Sequence, residues 1–172
     1  ERGEEFSRSG DVSSATVQVK ELPPHFTQAI LATEDRRFYH HFGIDVFGIA
    51  RAALENIRAG AIVQGGSTIT QQAAKNLFLT PDRTLKRKIQ EVLLALWLEN
   101  TFSKDQILTI YLNRVYLGSG TYGIEAAASK YFGRSARKLS LYQSAIIAGL
   151  LKAPSRLNPL NNPRGAMKRA NV

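Results

Sequence analysis

Three short segments of the chain have the form of capping boxes, which begin α-helices. They are Thr68-Ile69-Thr70-Gln71, Ser103-Lys104-Asp105-Gln106 and Ser140-Leu141-Tyr142-Gln143. In each, a hydroxyl and a Gln side chain can satisfy backbone N–H groups that the first turn of a helix leaves unpaired. Elsewhere the apolar residues recur mainly at helical spacing, and Thr16 to Lys20 alternates like a short strand. The sequence therefore predicts an all-α, irregular globular fold.

Apolar periodicity and the residues that interrupt it predict the remaining helices. These helices start at Pro23-Pro24 and Thr80-Pro81, or run over Ile44 to Ile57, Ile107 to Val115, and Ala126 to Gly133. A chain of 172 residues fits a single domain. Three prolines indicate that residues 153–172 form an exit loop or linker. Since the chain opens abruptly at Glu1, without a signal peptide or a membrane-spanning run, we expect it to be a piece of a longer protein.

The chain is strongly basic. It has 23 Lys and Arg against 14 Asp and Glu, a formal net charge of +9. This excess predicts an anionic partner, whether nucleic acid, an anionic membrane surface or a phosphorylated substrate. The absence of cysteine excludes disulfides and thiolate chemistry. A basic helical module that binds nucleic acid is one alternative, although no helix-turn-helix signature or basic-aromatic surface pattern supports it.

The first candidate for chemistry is Glu34, a carboxylate in an apolar helical row. It lies in line between Ile30 and Phe38, with Phe26 one turn earlier. An ordinary helical Glu faces water, whereas one between apolar side chains is expected to be partly desolvated. Desolvation disfavours the charged carboxylate and suits a general base or acid. The alternative is a boundary Glu that pairs with a basic residue such as Arg36.

The second candidate is a cluster of cations that ends at a carboxylate. The basic residues are Lys75, Arg83, Lys86, Arg87 and Lys88. Lys88 and Arg87 precede Glu91 by three and four residues, so all three share one side of a helix. That side is opposite the apolar stripe of Ile89, Val92, Leu93 and Leu96. The alternative is a solvated, salt-bridged helix start.

A third candidate is the segment from Gly65 to Asn76. A Gly-Gly turn into a capped helix start offers backbone N–H groups and hydroxyls to an anion. The spacing does not match a Walker A loop, and Gln71 and Gln72 can hydrogen-bond sugar hydroxyls or amides. The alternative is a plain N-cap beside a glycine hinge. The pair His40-His41 lacks metal-ligand spacing, so we expect His41 to support a helix end and not to bind metal.

Together these segments resemble the peptidoglycan glycosyltransferase family, the glycan-polymerising domains of bifunctional penicillin-binding proteins and their monofunctional relatives. Five blocks match in order: Glu34-Asp35-x-x-Phe38-x-x-His41-x-Gly43; Gly65-Gly66-Ser67-Thr68-Ile69-Thr70-Gln71-Gln72-x-x-Lys75-Asn76; Arg87-Lys88-x-x-Glu91; Lys104-x-x-Ile107-Leu108-x-x-Tyr111-Leu112-Asn113-x-x-Tyr116-x-Gly118; and Leu139-Ser140-Leu141 through Ala153-Pro154. The blocks cover most of the chain. One departure is Gln143, where the family commonly has an acid. Since Gln serves equally in a capping box, we expect this difference to be structural and neutral.

The resemblance implies a lysozyme-like helical fold, with a larger lobe and a small membrane-contacting lobe over roughly residues 43–66. It implies polymerisation of lipid II, with the growing glycan chain as donor and a new lipid II as acceptor. Glu34 would be the general base for the acceptor 4-hydroxyl, and Glu91 the second carboxylate near the leaving group. The substrate and its pyrophosphate would be bound or supported by Lys75, Arg83, Arg87, Lys88, Ser67, Thr68, Gln72, Asp35, His41 and Asn76.

Elementary chemistry agrees with a transferase. A glycosidase must protonate a poor alcohol leaving group, so it needs an acid and a second carboxylate, with few cations. A pyrophosphate leaves readily and needs positive charge instead. Direct attack by a hydroxyl deprotonated at Glu34 would invert the anomeric centre. The alternative is a lysozyme-like glycan-cleaving enzyme, either a lytic transglycosylase or a muramidase, which would not need the cations.

The resemblance also implies a setting for the enzyme. We expect it at the extracytoplasmic (periplasmic) face of a bacterial cell membrane, with lipid II, the growing glycan strand and the membrane surface as partners, and no nucleic acid. We expect no obligatory cofactor, although a divalent cation such as Mg²⁺ near Glu91 is an open alternative. A membrane anchor and a fused transpeptidase domain would lie outside this chain.

Contact with the bilayer is a separate hypothesis. An exposed apolar lip with basic flanks is expected from Phe42, Ile44, Val46, Phe47, Ile49, Ala61, Ile62 and Val63, beside Arg51 and Arg58. The alternative is that these side chains pack in the core. The resemblance favours membrane contact, because the polyprenyl tail of the substrate stays in the bilayer.

Overall fold

The computed structural model describes residues 16–63, 65–79 and 84–171. The α-helices in these ranges are α1 (Pro24–Glu34), α2 (Val46–Ala59), α3 (Ile69–Phe78), α4 (Leu85–Thr101), α5 (Lys104–Arg114), α6 (Ile124–Phe132), α7 (Leu141–Leu150) and α8 (Pro163–Ala170). Short 3₁₀ turns occupy Val19–Glu21, Phe38–His40 and Ala136–Lys138. The described ranges contain no β-strand, so the prediction of an all-α fold is confirmed.

Three helices begin at the predicted capping boxes. The hydroxyls of Thr68, Ser103 and Ser140 each accept a hydrogen bond from the backbone N–H three residues later, and the Gln at that position bonds back. The Gln143 side chain accepts from the Ser140 amide at 3.0 Å, as its place in the box predicts. The hydroxyl of Thr84 caps α4. The predicted helix start at Thr80-Pro81 lies outside the described residues.

One apolar core joins the helices that carry the candidate residues. Helix α3 packs on α4 and α5, α1 packs on α7, and α7 packs on α8. Phe26 of α1, Ile69 of α3 and Tyr111 of α5 are fully buried in this core. The core therefore holds the end of α1 beside the start of α3, where two of the resembled blocks lie.

The predicted strand at Thr16 to Lys20 is wrong. Its end turns into the 3₁₀ segment Val19–Glu21. The Val17 amide donates to Asn113 Oδ1 at 3.0 Å, and the Val17 carbonyl accepts from Asn113 Nδ2 at 2.8 Å. The side-chain amide of Asn113 thus supplies the hydrogen bonds that a neighbouring strand would give, and the alternating pattern reflects the burial of Val17.

The apolar row around Glu34 does not continue along one helix. Helix α1 ends at Glu34, and Phe38 belongs to the next 3₁₀ turn. Phe38 is nevertheless buried, because the chain folds back under the core. Lys104 lies over its ring, 4.5 Å from the centroid. The turn after Glu34 therefore brings the following residues, from Asp35 onward, back toward α3.

Helix α4 buries the side that carries its carboxylate and exposes part of its predicted apolar stripe, in which Val92 and Leu96 are half-buried. Glu91, Ala95 and Leu98 face the core, whereas Leu85, Ile89 and Leu93 face solvent. The sequence analysis correctly placed Glu91 opposite the stripe. Ala95 and Leu98, which lie further along the Glu91 side, pack α4 onto the core.

The tail contains a helix that the sequence analysis did not predict. Pro163 occupies the first turn of α8, and the Asn162 side chain accepts from the Gly165 amide at 2.9 Å. Proline is tolerated at a helix start because the amide it lacks would be unpaired there. Residues 153–162 are turns, as expected for an exit segment, but α8 packs against α7.

Most of the apolar lip faces solvent. Its exposed members are Phe42, Val46, Phe47, Ile49, Ala61, Ile62 and Val63, while Ile44 is half-buried. Ile57 of α2 is also exposed. The alternative that these side chains form part of the core is therefore wrong for most of them. Within the described residues, no helix combines the length and apolar character needed to cross a bilayer.

Candidate active site

Glu34 is the last residue of α1, and its side chain is only 8% exposed. Oε2 accepts a hydrogen bond from Gln72 Nε2 of α3 at 3.0 Å. Oε1 accepts no hydrogen bond from any described residue, and the Lys152 ammonium lies 3.8 Å from it. The prediction of a desolvated carboxylate is confirmed by this burial.

Asp35 anchors the neighbouring backbone. Its Oδ2 accepts from the Ile69 amide at 3.0 Å and lies 2.9 Å from His41 Nε2. The Ile69 amide is one of those that the first turn of α3 leaves unpaired. Asp35 therefore ties the end of α1 to the start of α3, and His41, also buried, braces it. Both residues support the geometry around Glu34, as expected for Asp35 from the sequence.

Glu91 is buried and faces two cations. Lys88 Nζ is 2.5 Å from Oε1, and Arg87 Nη2 is 3.9 Å from Oε2. Lys88 also donates to Ser67 Oγ at 2.9 Å. The half-exposed ammonium of Lys88 is thus held between the glycine segment and α4. This arrangement presents positive charge at a fixed position, which suits an anionic leaving group.

A small cavity of about 30 Å³ lies beside Glu34 and reaches the glycine segment that precedes α3. Its wall is formed by Glu34, Asp35, Arg36, Asp45, Gly48, Arg51, Gly65, Gly66, Ser67 and Thr68. Such a volume has room for about one water-sized group. Because Ser67 also binds Lys88, the base candidate and the cation cluster belong to one continuous site. Thr68 contributes by capping α3 and by donating to the Gly43 carbonyl at 2.6 Å.

A larger cavity of about 480 Å³ opens on the other side of Glu34. Four basic side chains line it: Arg36, Arg51, Lys152 and Arg169. Ala148 and Gly149 of α7 leave the space open because they are small. The cavity is therefore large enough for a sugar and carries positive charge next to the carboxylate.

Lys75 and Asn76 line a separate cavity of about 560 Å³, which they share with Arg87. Arg114, Tyr116 and Tyr122 complete its polar wall, and the two tyrosine rings lie 5.0 Å apart. The structure thus divides the predicted cation cluster. Lys88 contacts Glu91 and Ser67, Lys75 lies in this neighbouring cavity, and Arg87 adjoins both. Arg83 lies outside the described residues.

Gln72 connects Glu34 to the core. Its Nε2 donates to Glu34, and its Oε1 accepts from the Tyr111 hydroxyl at 3.4 Å. Burial raises the pKa of Tyr111 well above its usual value of 10.0, and the charges of Glu34 and Asp35 add to the effect. Tyr111 therefore stays neutral at physiological pH and remains a donor. Gln72 fixes the orientation of Glu34, a role that the sequence pattern did not distinguish from sugar binding.

The sequence did not identify Lys152 and Arg169 as neighbours of the site, whereas Arg36 was considered as a partner of Glu34. Lys152 lies within the fifth block, but its distance from Glu34 along the chain hides their proximity. Arg114 was likewise overlooked within the fourth block, between Asn113 and Tyr116. The available signal was the presence of Arg36, Arg114 and Lys152 inside matched blocks. In a chain with 23 Lys and Arg, that signal does not single out the cations of the site.

Comparison with known proteins gives a family match over nearly the whole chain. The model of the transglycosylase family matches residues 2–172. The chain is similar to penicillin-binding protein 1A of Aquifex aeolicus, with 57% identity over 91% of this chain and 22% of that protein. It is 49% identical to penicillin-binding protein 1A of Escherichia coli, over 99% of this chain and 20% of the relative. Penicillin-binding protein 1A of Pseudomonas aeruginosa is 47% identical, over 99% of this chain and 21% of that protein. The chain thus spans about a fifth of the length of these curated relatives.

Proposed function

The chain belongs to the transglycosylase family, and from this premise we propose that it polymerises lipid II into glycan strands. The family match confirms the resemblance to peptidoglycan glycosyltransferases. It also favours a polymerising transferase over the glycan-cleaving alternative. The observation that carries the mechanism is the buried Glu34 carboxylate, with one unpartnered oxygen, beside a separate carboxylate that is paired with cations.

The proposed reaction begins with the acceptor 4-hydroxyl beside Glu34. The carboxylate takes the hydroxyl proton as the oxygen attacks the anomeric carbon of the donor. The bond from that carbon to the pyrophosphate oxygen breaks, and the electron pair leaves with the lipid pyrophosphate. The new glycosidic bond forms on the opposite face, so the configuration inverts. Gln72 orients the base through its hydrogen bond to Oε2.

The cation cluster is assigned to the donor. A departing pyrophosphate gains negative charge, and preorganised cations stabilise that charge without having to rearrange. Lys88 is held by Glu91 and Ser67, so its position does not depend on substrate. Arg87 and Lys75 extend the positive surface into the neighbouring cavity. Glu91 acts here by holding cations and not by transferring a proton.

The acceptor is assigned to the larger cavity next to Glu34. A lipid II acceptor carries its own pyrophosphate, so its site also needs cations. Arg36, Arg51, Lys152 and Arg169 supply them around a volume of about 480 Å³. Lys152, near Glu34, suits the reacting sugar or its adjacent phosphate. Donor and acceptor would then lie on opposite sides of one base.

A divalent cation near Glu91 is not needed for this mechanism. Among the described residues, no group of three or more His, Cys, Asp or Glu could hold a metal ion. Both Glu91 oxygens already face cationic side chains. The described residues around Glu91 do not form a metal site, so we derive no step through one.

We assign membrane contact to the apolar lip and the adjoining turns of α2. Arg51 and Arg58 lie near it and suit anionic headgroups. This surface would hold the active site at the level of the polyprenyl pyrophosphate, on the extracytoplasmic face of the cell membrane. The relatives are about four to five times as long as this chain, and their name supports a fused penicillin-binding transpeptidase domain in the complete protein.

The test is incubation of the protein with purified lipid II in detergent. Formation of glycan polymer, with release of polyprenyl pyrophosphate, is the expected result. A parallel incubation with finished peptidoglycan tests the glycan-cleaving alternative. Cleavage of that material without polymer from lipid II would overturn the proposal.

A further inference from the structure

Glu99 is a buried carboxylate that the proposed reaction does not use. It lies near the end of α4, and its side chain is only 3% exposed. It follows Glu91 by eight residues, so both carboxylates project from the same side of α4, about 12 Å apart along the helix axis. Glu91 holds Lys88 beside the glycine segment, whereas Glu99 faces the first turn of α3.

The charges of Glu99 and its partner do not stabilise the helices that carry them. Lys104 Nζ lies 2.7 Å from Glu99 Oε1. Glu99 is in the last turn of α4, and Lys104 is the first residue of α5. An acid at the end of a helix and a base at the start of one both oppose the helix dipole. A buried ion pair is also often no more stabilising than apolar residues of similar volume. The reason for this pair therefore lies in what else it contacts.

Glu99 binds the first turn of α3. Thr70 Oγ1 donates to Glu99 Oε1 at 2.6 Å, and Thr70 is fully buried. Thr70 follows Ile69, whose amide donates to Asp35, and precedes by two residues Gln72, which orients the base. The hydroxyl of Thr70 thus fixes the turn that makes both of these contacts.

The partner of Glu99 reaches the turn that follows α1. Lys104 Nζ lies 4.5 Å from the centroid of the Phe38 ring. The His41 ring lies edge-on to Phe38 at 6.2 Å, and its Nε2 is 2.9 Å from Asp35 Oδ2. The pair formed by Glu99 and Lys104 therefore contacts both segments between which the base is held.

We propose that Glu99 is a positioning residue for the proton transfer, an inference that rests on the proposed function. Through Thr70 it fixes the start of α3, and through Lys104 it fixes the turn after α1. That turn lies directly against Glu99, because a Cβ at Gly43 would be 3.3 Å from Glu99 Cγ. Since a displacement of about 1 Å at the reacting groups can lower a rate about 10²-fold, a buried network without substrate contact can set the rate.

The test compares two substitutions of Thr70 that keep different parts of its side chain. Thr70→Val keeps the shape and removes the hydroxyl that donates to Glu99, whereas Thr70→Ser keeps the hydroxyl and removes a buried methyl group. We expect the maximal rate of lipid II polymerisation to fall about tenfold in the Val variant, with half-saturation within about twofold of the wild type. The Ser variant should keep the wild-type rate. A residue needed only for packing would give the opposite order, since Ser leaves the larger packing defect.

Arg137→Met is the matched control. It removes ion pairs with Glu21 and Glu125, neither of which contacts α3. Assayed below the melting temperatures of all variants, it should polymerise lipid II at the wild-type rate even where its melting temperature is lowered. A rate loss in this control equal to that of Thr70→Val would reduce the effect to stability and overturn the proposal.

Hydrogen exchange of the Ile69 amide, measured by NMR without lipid II, reports the same positioning without turnover. The amide should exchange at least about tenfold faster in Thr70→Val than in the wild type. Unchanged exchange, or a wild-type maximal rate in the Val variant, overturns the proposal. A raised half-saturating concentration at an unchanged maximal rate also overturns it and assigns Thr70 to substrate binding. A wild type that makes no polymer refutes the proposed function, and the exchange measurement still decides whether Glu99 fixes the start of α3.

Discussion

The two buried carboxylates of the site differ in how closely cations approach them. Glu91 faces Lys88 at 2.5 Å and Arg87 at 3.9 Å. Glu34 is buried to a similar degree, but the ammonium of Lys152 is 3.8 Å away and Oε1 accepts no hydrogen bond from the described residues. Burial alone therefore does not distinguish the two groups, whereas their partners do.

The difference assigns separate tasks to the two acids. A carboxylate in close contact with cations can hold their charge at a fixed position. A carboxylate with a vacant oxygen in a dry site can take a proton from a hydroxyl placed against it. We therefore propose that Glu91 organises charge and that Glu34 performs the proton transfer.

Removing the free carboxylate should have the largest effect. Glu34→Gln keeps the hydrogen-bonding shape toward Gln72 but cannot accept the proton. General base catalysis is worth roughly 10²–10⁴ in rate, so we expect polymer formation from lipid II to fall by about 10³. Initial rates measure this, and melting curves confirm folding. Glu34→Asp keeps a carboxylate on a side chain that is one methylene shorter, so it should keep measurable activity. A Gln variant within tenfold of the wild type would remove Glu34 from the role of base.

Removing a cation from the paired side should have the next largest effect. Lys88→Ala deletes the ammonium that joins Ser67 to Glu91. Loss of one preorganised charge from a half-exposed site should slow release of the pyrophosphate by about 10–10². Single-turnover release of polyprenyl pyrophosphate measures it. Lys138→Ala, which deletes an exposed cation on another turn, is the control and should behave like the wild type. Equal rates for the two variants would make the cation cluster merely structural.

The cation beside the free carboxylate should matter less. Lys152→Met preserves the long apolar stem and removes only the charge near Glu34. We expect the half-saturating lipid II concentration to rise about tenfold, since one ionic contact with the acceptor would be lost. The maximal rate should change less. A fall in maximal rate with unchanged half-saturation would instead place Lys152 in the chemical step.

The smallest effect is expected from the support beneath Glu34. Tyr111→Phe removes the hydroxyl that donates to Gln72, and turnover should fall no more than about threefold. Stability should show a clearer signature. Because the pKa of folded Tyr111 is raised well above 10.0, its contribution is present below about pH 10 and is lost as pH rises beyond that value. Denaturant unfolding at about pH 9 and about pH 11 measures the free energy of unfolding. Its decrease between these two pH values should be smaller in the Phe variant than in the wild type. An equal loss in both proteins would contradict this account.

Local rules predicted the helix starts and much of the site. The caps at Thr68, Ser103 and Ser140 depend on residues three positions apart, so they can be identified in the sequence. The grouping of Arg87, Lys88 and Glu91 on one helix side follows from the same short-range geometry. The five blocks placed Glu34 beside Gln72 only through the family resemblance, because no local rule brings α1 to α3.

The features that the sequence did not predict depend on contacts between distant segments. Lys152 approaches Glu34 because α7 packs on α1. Asn113 replaces a strand partner for Val17 because α5 lies beside the first described residues. Helix α4 shows the same limit. Periodicity revealed an apolar stripe, but the choice between core and exterior was decided by the packing of Ala95 and Leu98.

The position of Glu34 at the last residue of α1 has a consequence for how such a protein changes under selection. A helix ends in unpaired carbonyls with partial negative charge, and an acid there costs about 0.3–1 kcal/mol of folding free energy. Here Asp35 directly follows Glu34, and the last turn of α1 has no basic residue. A laboratory screen for heat resistance alone would therefore tend to replace Glu34 with a neutral residue. Stabilised variants should be selected for turnover and heat resistance together, because the residue that weakens this helix is the one proposed to drive the reaction.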